Sequence, residues 1–289
     1  MKKHRSVKFQ HDSRETMEGA GVRLRRAFGS SEQGRLDPFL MLDDFRSNNP
    51  EDYLAGFPWH PHRGIETVTY MLEGRVEHED SLGHKGKILG GDVQWMTSGS
   101  GIVHSEMPKK DKGPLSGFQL WVNLPKSEKM MDPRYQEVPE SRIPAALLAD
   151  GSRIRVVAGE IAGIRGPVRD IVAQPEFFDV NLPQGALFEH QVKDGHTAFV
   201  YVIEGQGLFG ADKTPAANHR LLLFDDKGSV RVESPEGSVR FLLLSGRPIG
   251  EPIAWYGPIV MNTQEELETA FREYQEGTFI KRGNRRNVR

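Results

Sequence analysis

The chain has 289 residues, a formal net charge of −2 at pH 7 and no cysteine. These facts exclude disulfide frameworks, thiolate metal sites and a cysteine nucleophile, and they provide no global attraction to nucleic acid or anionic membrane. With 37% hydrophobic residues, 31 glycines and 18 prolines, the length suits two domains of ordinary size, or one large β domain, built from many short strands.

The opening M-K-K-H-R-S-V-K-F is basic without an apolar core, and no apolar run approaches the roughly 20 residues that span a bilayer. The expectation is a cytoplasmic protein with no membrane segment. D-P-F-L-M-L-D-D-F at Asp37 to Phe45 predicts a buried strand over Phe39 to Leu42. Thr67 to Leu72 predicts a strand stopped at Glu73-Gly74, and Arg75 to Asp80 a second, with Ser81-Leu82-Gly83 closing a hairpin. Lys87 to Met96 supplies further strand broken at Gly90-Gly91, and Phe118 to Leu124 another core strand. The charged, aperiodic K-S-E-K-M-M-D-P-R-Y-Q-E-V-P-E reads as a linker, with a boundary near residue 135. It divides the chain into domains 1–134 and 135–289.

The second part predicts strands at Ile154 to Val157, Glu176 to Leu182, Ala198 to Ile203 and Val239 to Leu244. T-V-T-Y-M-L-E-G in the first part echoes A-F-V-Y-V-I-E-G in the second. Setting Gly74 against Gly205 places Gln191 opposite His60 and Lys193 opposite His62. A duplicated barrel with one metal-competent copy is the economical reading. At the C-terminus, T-Q-E-E is a capping-box pattern: Thr263 caps a helix and Glu266 reaches back to it. Leu267, Ala270, Phe271 and Tyr274 follow at helical spacing, and Gly277 ends the helix. The final K-R-G-N-R-R-N-V-R reads as a solvated basic tail rather than a nucleic-acid contact.

The chemistry sits in two runs, F-P-W-H-P-H-R-G-I-E-T at Phe57 to Thr67 and G-I-V-H-S-E at Gly101 to Glu106. Each carries two ligand-type residues two apart, His60 with His62 and His104 with Glu106. Side chains repeat every two residues along a strand, so each pair projects from one face. Two such pairs on neighbouring strands can close around one ion with three imidazoles and a carboxylate, donors that suit iron, nickel, copper, manganese or zinc. A lone buried histidine is usually a hydrogen-bonded core residue, but two such pairs together are harder to dismiss. His78 and His84 fit turn or surface roles, and His190, His196 and His219 structural ones. Glu66 shares parity with His60 and His62. It is open between a fifth ligand, a partner that orients an imidazole, and a buried ion pair with Arg63.

H-P-H-R-G-I-E-T-V-T-Y-M-L-E-G, G-D-V-Q-W-M-T-S-G-S-G-I-V-H-S-E, D-P-F-L-M-L-D-D-F and P-I-V-M-N-T-Q-E-E-L together resemble the pirin family of the cupin superfamily. The resemblance implies an all-β bicupin, two stacked antiparallel β-barrels with a short C-terminal helix. It implies one divalent metal in the N-terminal barrel, typically iron(II), with nickel, copper, manganese, cobalt or zinc also compatible. The family's ligands match His60, His62, His104 and Glu106. Thr97 stands where cupins often have proline in the second motif, and the ligand carboxylate is Glu106 rather than Glu66. Two functions follow from the resemblance. One is quercetin 2,3-dioxygenase activity, which opens a flavonol ring with O2, with Glu106 doubling as the base for the flavonol hydroxyl. The other is a non-enzymatic, metal- or redox-dependent binding protein acting on a regulatory protein partner. The expected state is a monomer. Fold alone cannot choose between these functions.

Overall fold

A computed structural model describes residues 3–281 of the chain. Its strands fall into two compact units that interleave in sequence. The first holds Met17–Leu24, Phe45–Glu137 and Glu251–Arg289, and the second Met1–Thr16, Arg25–Asp44 and Val138–Gly250. A single cut near residue 135 therefore does not describe the contacts. The N-terminal strand Val7–Asp12 pairs with Arg220–Phe224 of the second unit, whereas the C-terminal helix groups with the first.

In the first unit, the strands Phe57–His62, Ile102–Lys109, Arg75–Asp80 and Lys85–Leu89 form a four-stranded sheet in that spatial order. Arg134–Val138, Val93–Thr97, Ile65–Glu73 and Ser116–Asn123 lie side by side in another. The outer strands of the four-stranded sheet have a neighbour on one side only, so among the described residues it is an open sheet rather than a closed barrel. Val22, Leu24, Phe45, Tyr53, Met71 and Val76 are among the residues of the core cluster in this unit.

The second unit holds a ten-stranded antiparallel sheet, among the described residues, in which Thr197–Phe209 and Val239–Gly246 pair along most of their length. Its core includes Phe178, Phe188, Val200, Phe209, Phe241 and Leu243.

The predicted strands are present, most of them longer by one or a few residues. The apolar signal fades at strand ends while backbone pairing continues. Two glycines set boundaries by conformation. Gly74 ends Ile65–Glu73 with φ +84°, and Gly64 separates Phe57–His62 from Ile65–Glu73 with φ +78°. The charged stretch read as a linker is structured. Lys129 is buried within it, and Arg134–Val138 is a strand beside Val93–Thr97. It lacks apolar periodicity because only Val138 of this strand is buried, while Arg134 Nε donates to Thr97 Oγ1 at 3.3 Å and the exposed Glu137 lies 3.1 Å from His78 Nε2. The helix runs Gln264–Gln275 with the predicted capping box formed. Leu267 and Ala270 are buried against Ile259 and Met261. Apart from Lys281, the basic tail lies outside the described residues.

Candidate metal centre

Backbone register builds the centre. Ile102–Lys109 pairs antiparallel with Phe57–His62, placing His104 opposite His60 and Ile102 opposite His62. The three imidazoles converge, with ring centroids 4.5 Å apart for His60 and His104, 4.7 Å for His60 and His62, and 5.1 Å for His62 and His104. One nitrogen from each lies within 4.8 Å of the others. His62 and His104 are buried and His60 is half-buried, so the centre is most accessible on the His60 side.

Hydrogen bonding fixes how these rings point. His60 Nδ1 lies 2.8 Å from the Pro58 carbonyl oxygen and His62 Nδ1 3.0 Å from that of Pro258. A carbonyl can only accept, so each Nδ1 carries the proton and donates it. In the neutral ring each Nε2 is then a bare lone pair, and these two nitrogens face each other across 3.0 Å. Both ring nitrogens of His104 are buried without a hydrogen-bond partner. Desolvation, reinforced by the neighbouring imidazoles, holds His62 and His104 well below the usual histidine range, so both are neutral near pH 7. Buried lone pairs turned on one another are costly unless something electrophilic sits between them. A divalent ion fits that requirement, and the neutral imidazoles are already in their ligating form.

Glu106 is buried on the same strand but outside the three-imidazole group. The register shifts between His104 and Glu106, so Glu106 opposes Phe57 on one side and His78 on the other. Burial raises its pKa, opposed by the neighbouring His60 and by its contact with Thr69. Thr69 Oγ1 lies 3.0 Å from Glu106 Oε1 and 2.7 Å from Gln119 Oε1. One hydroxyl proton cannot serve two acceptors. Turned about its amide, Gln119 donates from Nε2 to Thr69 Oγ1 and leaves the Thr69 proton for Glu106, the contact that opposes the rise of its pKa.

Glu66 does not join the centre. Its Oε1 accepts from Thr97 Oγ1 at 2.6 Å. The shared parity with His62 is broken at Gly64, which places Glu66 on a strand of a different sheet. The alternative of an ion pair with Arg63 is not formed, because the Arg63 guanidinium meets Glu273 at 2.8 Å. His78 lies beside Glu137 and His84 beside Asp80, and neither belongs to the imidazole group. In the second unit, Gln191 Oε1 accepts from Ser229 Oγ, and His190 lies 2.9 Å from Glu176. No second group of three ligand-type side chains occurs among the described residues.

Several contributors had no residue-type signature. The Pro258 carbonyl is backbone. Trp121, edge-on to His62 at 5.2 Å between centroids, looked like an ordinary core residue of F-Q-L-W-V-N-L. Trp255, 6.0 Å from Trp121, comes from a hairpin that no periodicity announced.

Profile comparison matches residues 21–122 to Pirin and 177–280 to the Pirin C-terminal cupin domain. The chain belongs to the pirin family. Its two β units are thus pirin cupin domains, of sandwich rather than closed-barrel form. The pirin chain is 44% identical over 282 residues to a Pseudomonas aeruginosa protein provisionally named quercetin 2,3-dioxygenase, covering 96% of this chain and 99% of that one. It is 48% identical over 265 residues to a pirin-like protein of Caulobacter vibrioides, covering 91% and 95%. A crystal structure titled quercetin 2,3-dioxygenase from Acinetobacter baumannii superposes with a TM-score of 0.87 at 34% identity, covering 95% of this pirin and 98% of that chain.

Proposed function

We propose that His60, His62, His104 and Glu106 hold one divalent metal ion, iron(II) foremost, and that the centre opens a flavonol ring with O2 in the manner of quercetin 2,3-dioxygenase. The observation that carries the metal is the pair of Nε2 lone pairs 3.0 Å apart, each aimed by a carbonyl on the far side of its ring. Names carried by relatives covering nearly the whole chain support the reaction class. A bound ion would supply Lewis acidity to the flavonol oxygen and a template for O2.

The chain's own residues do the rest. His60 and His62 present neutral Nε2 atoms because Pro58 and Pro258 keep their protons on Nδ1. Glu106 takes the proton of the flavonol hydroxyl on its carboxylate, a role suited to a group whose pKa is raised by burial. Thr69 holds the carboxyl that receives it. Phe57 and Trp121 set aromatic rings beside the imidazoles, with Trp255 packed on Trp121, and limit water on those sides. A flat aromatic substrate suits such walls.

Anaerobic purification with metal analysis, followed by oxygen uptake and carbon monoxide release on quercetin, tests the reading. Turnover lost with Glu106→Gln by about 10²- to 10⁴-fold is the expected result. Stoichiometric metal without oxygen uptake on any flavonol would instead place the protein with the regulatory binding proteins.

A further inference from the structure

The C-terminal segment reaches the imidazoles through the backbone of Pro258, ahead of the helix. Its hairpin, Ala254–Tyr256 paired with Ile259–Met261, turns at Gly257 and delivers the Pro258 carbonyl to His62 Nδ1 at 3.0 Å. The same hairpin places Trp255 against Trp121, which is itself edge-on to His62. So the segment meets His62 both at the far nitrogen of its ring and, through Trp121, at its side.

Two cations clamp this hairpin from below. Lys129 is a buried ammonium with three acceptors for its three protons: the carbonyls of Gly64 at 2.8 Å and Val260 at 3.0 Å, and Asn123 Oδ1 at 2.8 Å. It therefore ties the residue two after His62 to the residue two after Pro258. Arg63 donates from Nε to the Ser100 carbonyl at 2.7 Å and from Nη2 to that of Phe279 at 2.8 Å. It also pairs with Glu273 and lies over the Phe279 ring. Its own carbonyl accepts from the Val260 amide at 3.1 Å. Both cations flank the ligand-bearing strand, and each binds backbone oxygens of the C-terminal segment. Surface packing would not need two buried charges here, because burying a charge is costly unless its hydrogen bonds are met and used.

We propose that the segment from Glu251 to Ile280 is an integral part of the metal centre, with Lys129 and Arg63 as positioning residues that hold the Pro258 carbonyl on His62 and so fix that ring's tautomer and plane. The inference rests on the metal reading above for its purpose, but its geometry stands in the metal-free chain. Outer-sphere acceptors of this kind set ligand orientation and affinity.

Nitrogen-15 NMR of the histidine rings in the metal-free, full-length protein reads the tautomer directly. Nickel(II) titration of the same samples then reads affinity. In the wild type, His62 is expected wholly as the Nδ1–H form. Lys129→Met should introduce the Nε2–H form and weaken nickel binding by about 10- to 100-fold. Glu273→Gln, a milder change at a more exposed partner, should move both in the same direction and serves if Lys129→Met does not fold. Val76→Ala, a core truncation away from the clamp, should lower the melting temperature while leaving tautomer and affinity at wild-type values. If the clamp variants lower only the melting temperature, or if Val76→Ala shifts the tautomer equally, the positioning role is overturned. A wild type that takes no nickel would overturn the metal reading, while the tautomer comparison would still decide the role of the clamp.

Discussion

Two buried glutamates of the first unit, Glu66 and Glu106, differ in what meets them. Glu106 shares a strand with His104 and has His60 as a neighbour, whereas Glu66 is bonded to Thr97 and has Arg134 as its cationic neighbour. Desolvation raises the Glu66 pKa above the ordinary carboxylate range, opposed by Thr97. The linkage sign follows from that direction. Native Glu66 holds its proton at pH values where the unfolded chain has released it, so the native state binds more protons there, and stability falls as pH rises through that window. Below the unfolded carboxylate value the cost is absent. Glu66→Gln keeps an oxygen for the Thr97 hydroxyl and removes the titration. The variant is therefore expected to match the wild type in thermal melts near pH 4 and to exceed it at pH 8. Its metal content should equal that of the wild type, because no imidazole leans on Glu66. Loss of metal from Glu66→Gln would return this residue to the centre.

Element boundaries divide into those written in side chains and those written in backbone. The C-terminal helix was legible down to its first turn. Thr263 Oγ1 accepts from the Glu266 amide at 3.2 Å, and Glu266 Oε2 accepts from the Thr263 amide at 3.1 Å. Thr263→Ala should lower unfolding free energy by about 1 kcal/mol in denaturant titration. The convergence of His60, His62 and His104 was legible too, since it needed only a period of two and one register. The position of Glu66 was not, because Gly64 interrupts the parity with a left-handed residue that spacing alone does not reveal. Nor was the strand Arg134–Val138, in which only Val138 is buried and Glu137 is exposed. A Cβ on Gly64 would overlap the Val260 carbonyl oxygen, and φ of +78° disfavours any L side chain. Gly64→Ala should therefore cost at least the about 1–3 kcal/mol of such backbone strain. It should also speed amide exchange at Val260, whose N–H is bonded to Arg63.

The two cupin units share an architecture and differ in chemistry, which bears on how much metal one chain takes up. In the first, backbone carbonyls aim imidazoles inward. In the second, Gln191, the residue opposite His60 in the internal echo, donates its amide to the Val192 carbonyl and accepts from Ser229. Its hydrogen bonds are satisfied within the protein. Lys193, opposite His62, is exposed and gives its carbonyl to the buried Arg5 guanidinium, which also bonds the carbonyls of His196, Asp225 and Gly228. A cation already organises that region, so a divalent ion would meet positive charge where the first unit offers lone pairs. The expected stoichiometry is one metal per chain by elemental analysis. His62→Ala should remove it entirely while the far-ultraviolet spectrum stays that of a folded β protein, since the apolar cores of both units are untouched. Metal that binds only the native state at 100 times its dissociation constant contributes about 2.7 kcal/mol. Stripping the wild type with a chelator should accordingly lower its melting temperature by several degrees, and the same chelator should leave His62→Ala unmoved. Two equivalents of metal, or a His62→Ala variant that still responds to chelation, would show a second centre in the half of the chain that carries no paired ligands.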